Sequence, residues 1–122
     1  AGCYDVLMPD IKYAGGHEEI RRIAALAQTA GIEIAPHNPT GPICHAHSVH
    51  LCATLPNLLP LEVQFGETER FFTMIHGHDL RFQQGSACLP QAPGLGVALD
   101  EAGARLSPWQ PMAQPWLDPR LG

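Results

Sequence analysis

The chain has 122 residues, a formal net charge of −5 and 16% charged residues, which is room for one domain. Its seven positive residues are scattered between Lys12 and Arg120, so the basic footprint that binds nucleic acid or an anionic membrane is missing. Glycine and proline contribute 12 residues each beside 45% hydrophobic residues, which excludes wholesale disorder and describes a chain rich in connections with little left for a self-sufficient core.

Residues 4–10 form a short apolar run ended by Pro9 and a carboxylate, which predicts a buried strand. Ala14-Gly15-Gly16 is a turn. Over residues 17–30, Ile20, Ile23, Ala24, Ala27 and Ala30 recur at helical spacing, with Glu18 and Glu19 in the first turn and Gly31 at the end. Glu18 and Arg22 are placed for an i,i+4 pair. Residues 32–35 read as a second strand closed by Pro36-His37, and the run from Asn38 to Pro42 as a rigid loop with Pro42 ready to open a helix. That helix is predicted over residues 43–55, stopped by Pro56-Asn57, and a third strand over residues 58–63. Beyond Gly66 the alternation stops. A polar stretch containing Phe71-Phe72 leads to residues 81–89, then to the turn Pro93-Gly94-Leu95-Gly96, then to a proline-rich tail read as an extended arm.

Strand, helix, strand, helix, strand is the alternation of a parallel α/β sheet, in which right-handed crossovers set successive strands side by side. Such sheets build their sites at the carboxyl ends of the strands, where the strand fixes the backbone and the loop leaves the side chain open. The first predicted strand ends at Asp10, the second at His37, and the third reaches Glu62. A carboxylate bonded to an imidazole fixes its tautomer and makes the other ring nitrogen more basic, so His37 is a candidate general base oriented by Asp10. Glu62, between Leu61 and Val63, is a candidate hydrogen-bond donor to a developing oxyanion if the apolar setting keeps it protonated. The plain alternative for each is a helix cap or a loop hydrogen bond.

Other chemistry-bearing residues have weaker patterns. Cys3, Cys44, Cys52 and Cys88 lack CxxC spacing and read as reduced packing residues rather than a disulfide framework. His45, His47 and His50, flanked by Cys44 and Cys52, invite a zinc site. At about 100° per residue His45 and His47 diverge, and Cys44 with His47 supplies only two ligands, so surface or interface histidines are expected. His76-Gly77-His78 reads as a solvated loop. Lys12, two residues past Asp10, is either a solvated loop lysine or a partner for a substrate anion. Trp109 and Trp116 in the tail are either anchors on a neighbouring surface or part of a disordered end. No apolar run reaches the roughly 18–20 residues of a membrane span, and the first ten residues lack a basic signal-peptide region, so a soluble cytoplasmic protein is expected.

Pro9-Asp10, Ala14-Gly15-Gly16, Ala35-Pro36-His37-Asn38-Pro39, Gly41-Pro42 and Leu61-Glu62 together resemble the last third of the catalytic barrel of the enolase superfamily, mandelate racemase subgroup. The likeness is nearest to acid-sugar dehydratases of the galactonate dehydratase type. The 27-residue separation of Asp10 and His37 agrees with that subgroup's Asp–His dyad. Residues 93–100 resemble the segment that returns to the capping domain, and the likeness covers roughly residues 4–106. In the muconate-cycloisomerase subgroup a Lys stands where Asp10 is here, which argues against that branch.

The resemblance implies a partial TIM-type (β/α) barrel: its last three strands with intervening helices over residues 1–66, a C-terminal β-rich segment over 67–106, and a Pro-rich tail over 107–122. It implies removal of the proton beside a substrate carboxylate to give an enediolate held by magnesium. Asp10 would be the dyad carboxylate, His37 the base and Glu62 the hydrogen-bond donor to the substrate carboxylate. The magnesium ligands and the second acid of the dehydratases would lie on earlier strands, outside this sequence. The chain alone is therefore expected to be inactive and, with unpaired strand edges, poorly stable. The implied partners are a hydroxy or sugar acid, the rest of the barrel and capping domain, and other copies of the enzyme. A racemase or epimerase of hydroxy acids, or a non-catalytic truncated piece, are the alternatives.

Overall fold

The computed structural model describes residues 2–64, 70–77, 80, 82–106 and 108. The predicted boundary near residue 66, His78, Arg81, Trp109, Trp116 and all of the tail but Pro108 lie outside them. The first half alternates as expected: β1 (Val6–Leu7), α1 (His17–Thr29), β2 (Glu33–Ile34) and α2 (Pro42–Cys52). β1 and β2 are parallel, with Val6 opposite Glu33 and Leu7 opposite Ile34. The strands are much shorter than predicted, but their hydrogen bonding runs further. Glu33 N–H donates to Asp5 O at 3.0 Å, Ala35 N–H to Leu7 O at 2.9 Å and His37 N–H to Pro9 O at 3.2 Å. A parallel bridge between Asp10 and His37 closes this ladder.

The third predicted strand is not one. Residues 58–63 run beside β2 with a single bridge, Ile34 to Leu58, and bonds from Leu59 N–H to Ile34 O at 2.8 Å and Glu62 N–H to Pro36 O at 3.3 Å. Pro36 and Pro60 fall within the paired stretch, and each removes a backbone donor, which breaks a regular ladder.

α1 buries Ile20, Ala24 and Ala27, the i, i+4, i+7 stripe that periodicity predicts, whereas Ala30 is exposed past the helix end. Gly15 and Gly16, at φ 96° and 88°, make the entry turn, a backbone region open to glycine and costly for other residues. Arg22 bonds Glu19 at 3.0 Å and Arg21 approaches Glu18 at 3.5 Å, so the expected Glu18–Arg22 pair is replaced by two i,i+3 pairs on the exposed face. Pro42 opens α2 as predicted, but the helix ends at Cys52 rather than at residue 55, since Pro56 turns the residue before it away from the helical region. The core between sheet and helices is Ile11, Ile20, Ala24, Ala27, Ile34, Leu51 and Leu55. Ile20, Ile34 and Leu51 are wholly buried, each contributing about 1.5–3 kcal/mol. The other face of β1 leaves Tyr4, Val6 and Met8 exposed.

The second half is a small antiparallel unit: α3 (Arg70–Thr73), β3 (Ile75–Gly77), β4 (Val97–Leu99) and α4 (Glu101–Arg105). Ile75 pairs with Leu99 and Gly77 with Val97. His76-Gly77 is therefore strand rather than solvated loop, because β4 supplies its partner, although the His76 side chain is exposed. α4 is capped by Asp100, whose Oδ1 accepts the Gly103 N–H at 3.1 Å. His50 Nε2 donates to Leu95 O at 3.3 Å and so ties α2 to the loop before β4.

Candidate active site

Parallel pairing brings the ends of β1, β2 and the segment beside β2 to one edge, where Asp10 and His37 meet and Glu62 bonds the residues on either side of His37, Pro36 and Asn38. Asp10, almost fully buried, places Oδ2 2.9 Å from His37 Nδ1. A carboxylate only accepts, so Nδ1 carries a proton, and in the neutral ring Nε2 holds the lone pair. The His37 side chain is 41% exposed, leaving the ring reachable by a small molecule. Burial pushes the Asp10 carboxyl up. The His37 bond, the Lys12 backbone N–H and the Lys12 charge together outweigh this and hold it below the usual carboxylate range.

Glu62 is half-buried. Its Oε2 accepts the Asn38 backbone N–H at 3.3 Å and its Oε1 the Gln64 amide at 3.3 Å. Its immediate partners are therefore polar, in contrast with the apolar setting suggested by Leu61 and Val63, and in this arrangement it accepts rather than donates.

Around this edge lie contacts that the sequence did not disclose. Lys12 Nζ lies 3.4 Å from Asp10 Oδ2 and its backbone N–H donates to Oδ1 at 2.7 Å. The anion it meets is internal. Asn38 is buried and both polar groups of its side chain are used: its side-chain amide donates to His45 Nδ1 at 3.0 Å and to Glu62 O at 3.1 Å, and its Oδ1 accepts from Ser48 Oγ at 3.2 Å. His45 and Ser48, one turn apart on α2, thus clamp the residue that follows His37. The only sequence signal for this is the i,i+3 placement of two polar residues among the apolar positions of α2.

Of the three α2 histidines, His45 is buried, contrary to expectation, while His47 and His50 are half-buried. His45 is completely buried between Phe71 and Phe82, ring centroids 5.6 Å from each. Burial lowers its pKa from the ordinary imidazole value, and the Leu80 backbone opposes this in part. Its Nε2 is buried without a hydrogen-bond partner in normal reach. His47 meets His17, and His50 meets Leu95. As spacing predicts, His45 diverges from His47, while Cys44 and His47 line one cavity of about 340 Å³ with His17 and Lys12. Among the described residues no three His, Cys, Asp or Glu side chains gather to hold a metal ion. Of the cysteines, Cys52 is buried and Cys44 half-buried. Cys3 and Cys88 are exposed, so packing does not account for them. Among the described residues no helix is long and apolar enough to cross a membrane.

Residues 1–103 match the family described as Enolase C-terminal domain-like. The chain is 35% identical over 100 residues to a D-gluconate dehydratase of Thermoproteus tenax, covering 82% of this chain and 20% of that protein. It is 35% identical over 107 residues to a D-galactonate dehydratase of Ralstonia pickettii, covering 84% and 28%. Among solved structures, it superposes on a mandelate racemase/muconate lactonizing enzyme from Jannaschia sp. CCS1 with a TM-score of 0.79 at 36% identity, covering 89% of this chain and 28% of that one. An enolase from Pantoea ananatis with bound D-gluconate and magnesium gives a TM-score of 0.75 at 26% identity, covering 87% and 26%. The chain thus spans between a fifth and somewhat over a quarter of the length of these relatives.

Proposed function

The chain belongs to the Enolase C-terminal domain-like family, and from that premise we propose that it carries the proton-abstracting base of a cytoplasmic acid-sugar dehydratase, a lyase. The observation that supports this most directly is the 2.9 Å bond between Asp10 Oδ2 and His37 Nδ1 across the ends of two parallel strands. Asp10 holds the ring so that Nε2 presents its lone pair outward. His37 then takes the proton from the carbon beside the substrate carboxylate, and Asp10 stabilises the imidazolium that forms. Glu62 bonds the substrate carboxylate as charge develops on it, which requires its carboxyl to take up a proton and to leave Asn38 and Gln64. Relatives that are gluconate and galactonate dehydratases favour loss of water over racemisation as the outcome.

Among the described residues no set fits a magnesium site. Asp10 is committed to His37 and Lys12, Glu62 to Asn38 and Gln64, and a hard cation needs several oxygen ligands in a defined geometry. No step is therefore assigned to a metal through these residues, and magnesium in the complete barrel would take other ligands.

The test is isotope exchange. D-gluconate or D-galactonate is incubated with magnesium and a protein containing this chain in deuterated water. Deuterium is expected at the α-carbon, and its loss in His37→Asn supports the assignment; undiminished exchange in that variant overturns it.

A further inference from the structure

One oxygen of the dyad carboxylate has two claimants. His37 Nδ1 lies 2.9 Å from Asp10 Oδ2 and Lys12 Nζ 3.4 Å from the same atom, while Oδ1 is occupied by the Lys12 backbone N–H at 2.7 Å. Lys12 therefore grips both oxygens, one through its backbone and one through its side chain. Its ammonium also lies 4.5 Å from the centroid of the Tyr13 ring, and the side chain is only 30% exposed. A lysine that merely dangled in solvent would have neither contact. The titratable groups facing the Asp10 carboxyl are Lys12 from its own loop and His37 from the loop after β2. Glu62, on the neighbouring segment, is turned to Asn38 and Gln64.

We propose that Lys12 is a positioning residue for the dyad: its ammonium shares Asp10 Oδ2 with the imidazole, and so sets both the place of the carboxylate and the strength of its bond to His37. Two donors on one oxygen divide its electron density, and the one with the full positive charge draws the larger share. With Lys12 in place the carboxylate stays anionic and Nδ1 is held but not over-polarised. Without the ammonium the same carboxylate would pull harder on the ring proton. The meaning of this for turnover rests on His37 being the base; the tether itself does not.

The test uses isotopically labelled protein containing this chain and nuclear magnetic resonance, with Lys12→Met and Lys12→Arg. In Lys12→Met the titration midpoint of the Asp10 side-chain carbon is expected to move up, and the His37 Nδ1 proton to move downfield as its bond to Asp10 strengthens. Lys12→Arg, which keeps the charge, should resemble the wild type in both. The amide resonances of α1 report whether the fold is intact. Should Lys12→Met disturb them, Lys12→Gln, which also removes the charge, replaces it with the same expectation. The proposal is overturned if an intact Lys12→Met or Lys12→Gln chain leaves both signals at their wild-type positions, or if Lys12→Arg shifts them as far as Met does. Absence of α-carbon exchange would count against His37 as the base and leave these readings as they are.

Discussion

His17 Nε2 and His47 Nδ1 meet at 3.0 Å, their rings edge to face with centroids 5.2 Å apart, so the first turn of α1 and the middle of α2 touch through two imidazoles. One nitrogen donates and the other accepts, which requires that the pair not be doubly protonated.

Stability is therefore expected to fall on acidification. Burial, then the charges of His47 and His50, lower the His17 pKa, with Glu18 opposing; burial lowers that of His45. A group whose folded pKa is depressed leaves the unfolded chain binding more protons, so stability is complete above the ordinary imidazole value of about 6.5 and declines as pH drops toward the folded values. Urea midpoints at a series of pH values across this range check it. His17→Gln should give a shallower decline, and an unchanged slope in that variant would remove His17 as a source.

Asn38 joins the His37 loop to α2 and to Glu62. Asn38→Ala strands His45 Nδ1 and Ser48 Oγ in the interior and is expected to cost about 2–4 kcal/mol in unfolding free energy. Asn38→Asp should be no better, since a carboxylate cannot donate to His45 Nδ1 or to Glu62 O. A loss below about 0.5 kcal/mol for the alanine variant, the scale of ordinary surface substitutions, would mean the network is replaceable by water.

Asp10→Asn preserves shape but replaces an acceptor with a group that can donate to Nδ1, which favours the wrong tautomer of His37. On the proposed function, α-deuterium exchange should drop by about 10²-fold or more, the scale of general acid–base catalysis, while sugar-acid binding changes little. A variant that retains full exchange would show that Asp10 does not orient the base.

Burial pushes the Cys52 thiol up to about 11, and thiolate is the reactive form. Near neutral pH, Cys52 should resist alkylation in the native chain and label quickly in denaturant, as read by mass spectrometry of the peptide carrying it. Rapid native labelling would contradict the enclosed position beside Val49 and Leu51.

Legibility followed the range of the forces involved. The α1 stripe of Ile20, Ala24 and Ala27, the Gly15-Gly16 turn and Pro42 at the head of α2 are local features, set by side-chain period and backbone sterics, and they were readable from residue order. So was the pairing of Asp10 with His37, because a parallel crossover of this length must bring two successive strand ends together. Residues 58–63 were misread as a strand because their apolar composition satisfied the pattern while Pro36 and Pro60 denied the ladder its donors. His76-Gly77 was misread as loop because its partner, Val97–Leu99, is remote in the chain.

The sequence by itself thus determined that helix and strand alternate through the first half of the chain and that Asp10 and His37 lie at the ends of paired strands. Only the tertiary structure decided what surrounds them: that Lys12 turns back onto Asp10, that Glu62 accepts from Asn38, and that His45 is buried rather than exposed. Hydrogen bonds and burial at these positions depend on groups brought together from separate segments, and a polar residue on a helix carries no local mark of which neighbour will enclose it.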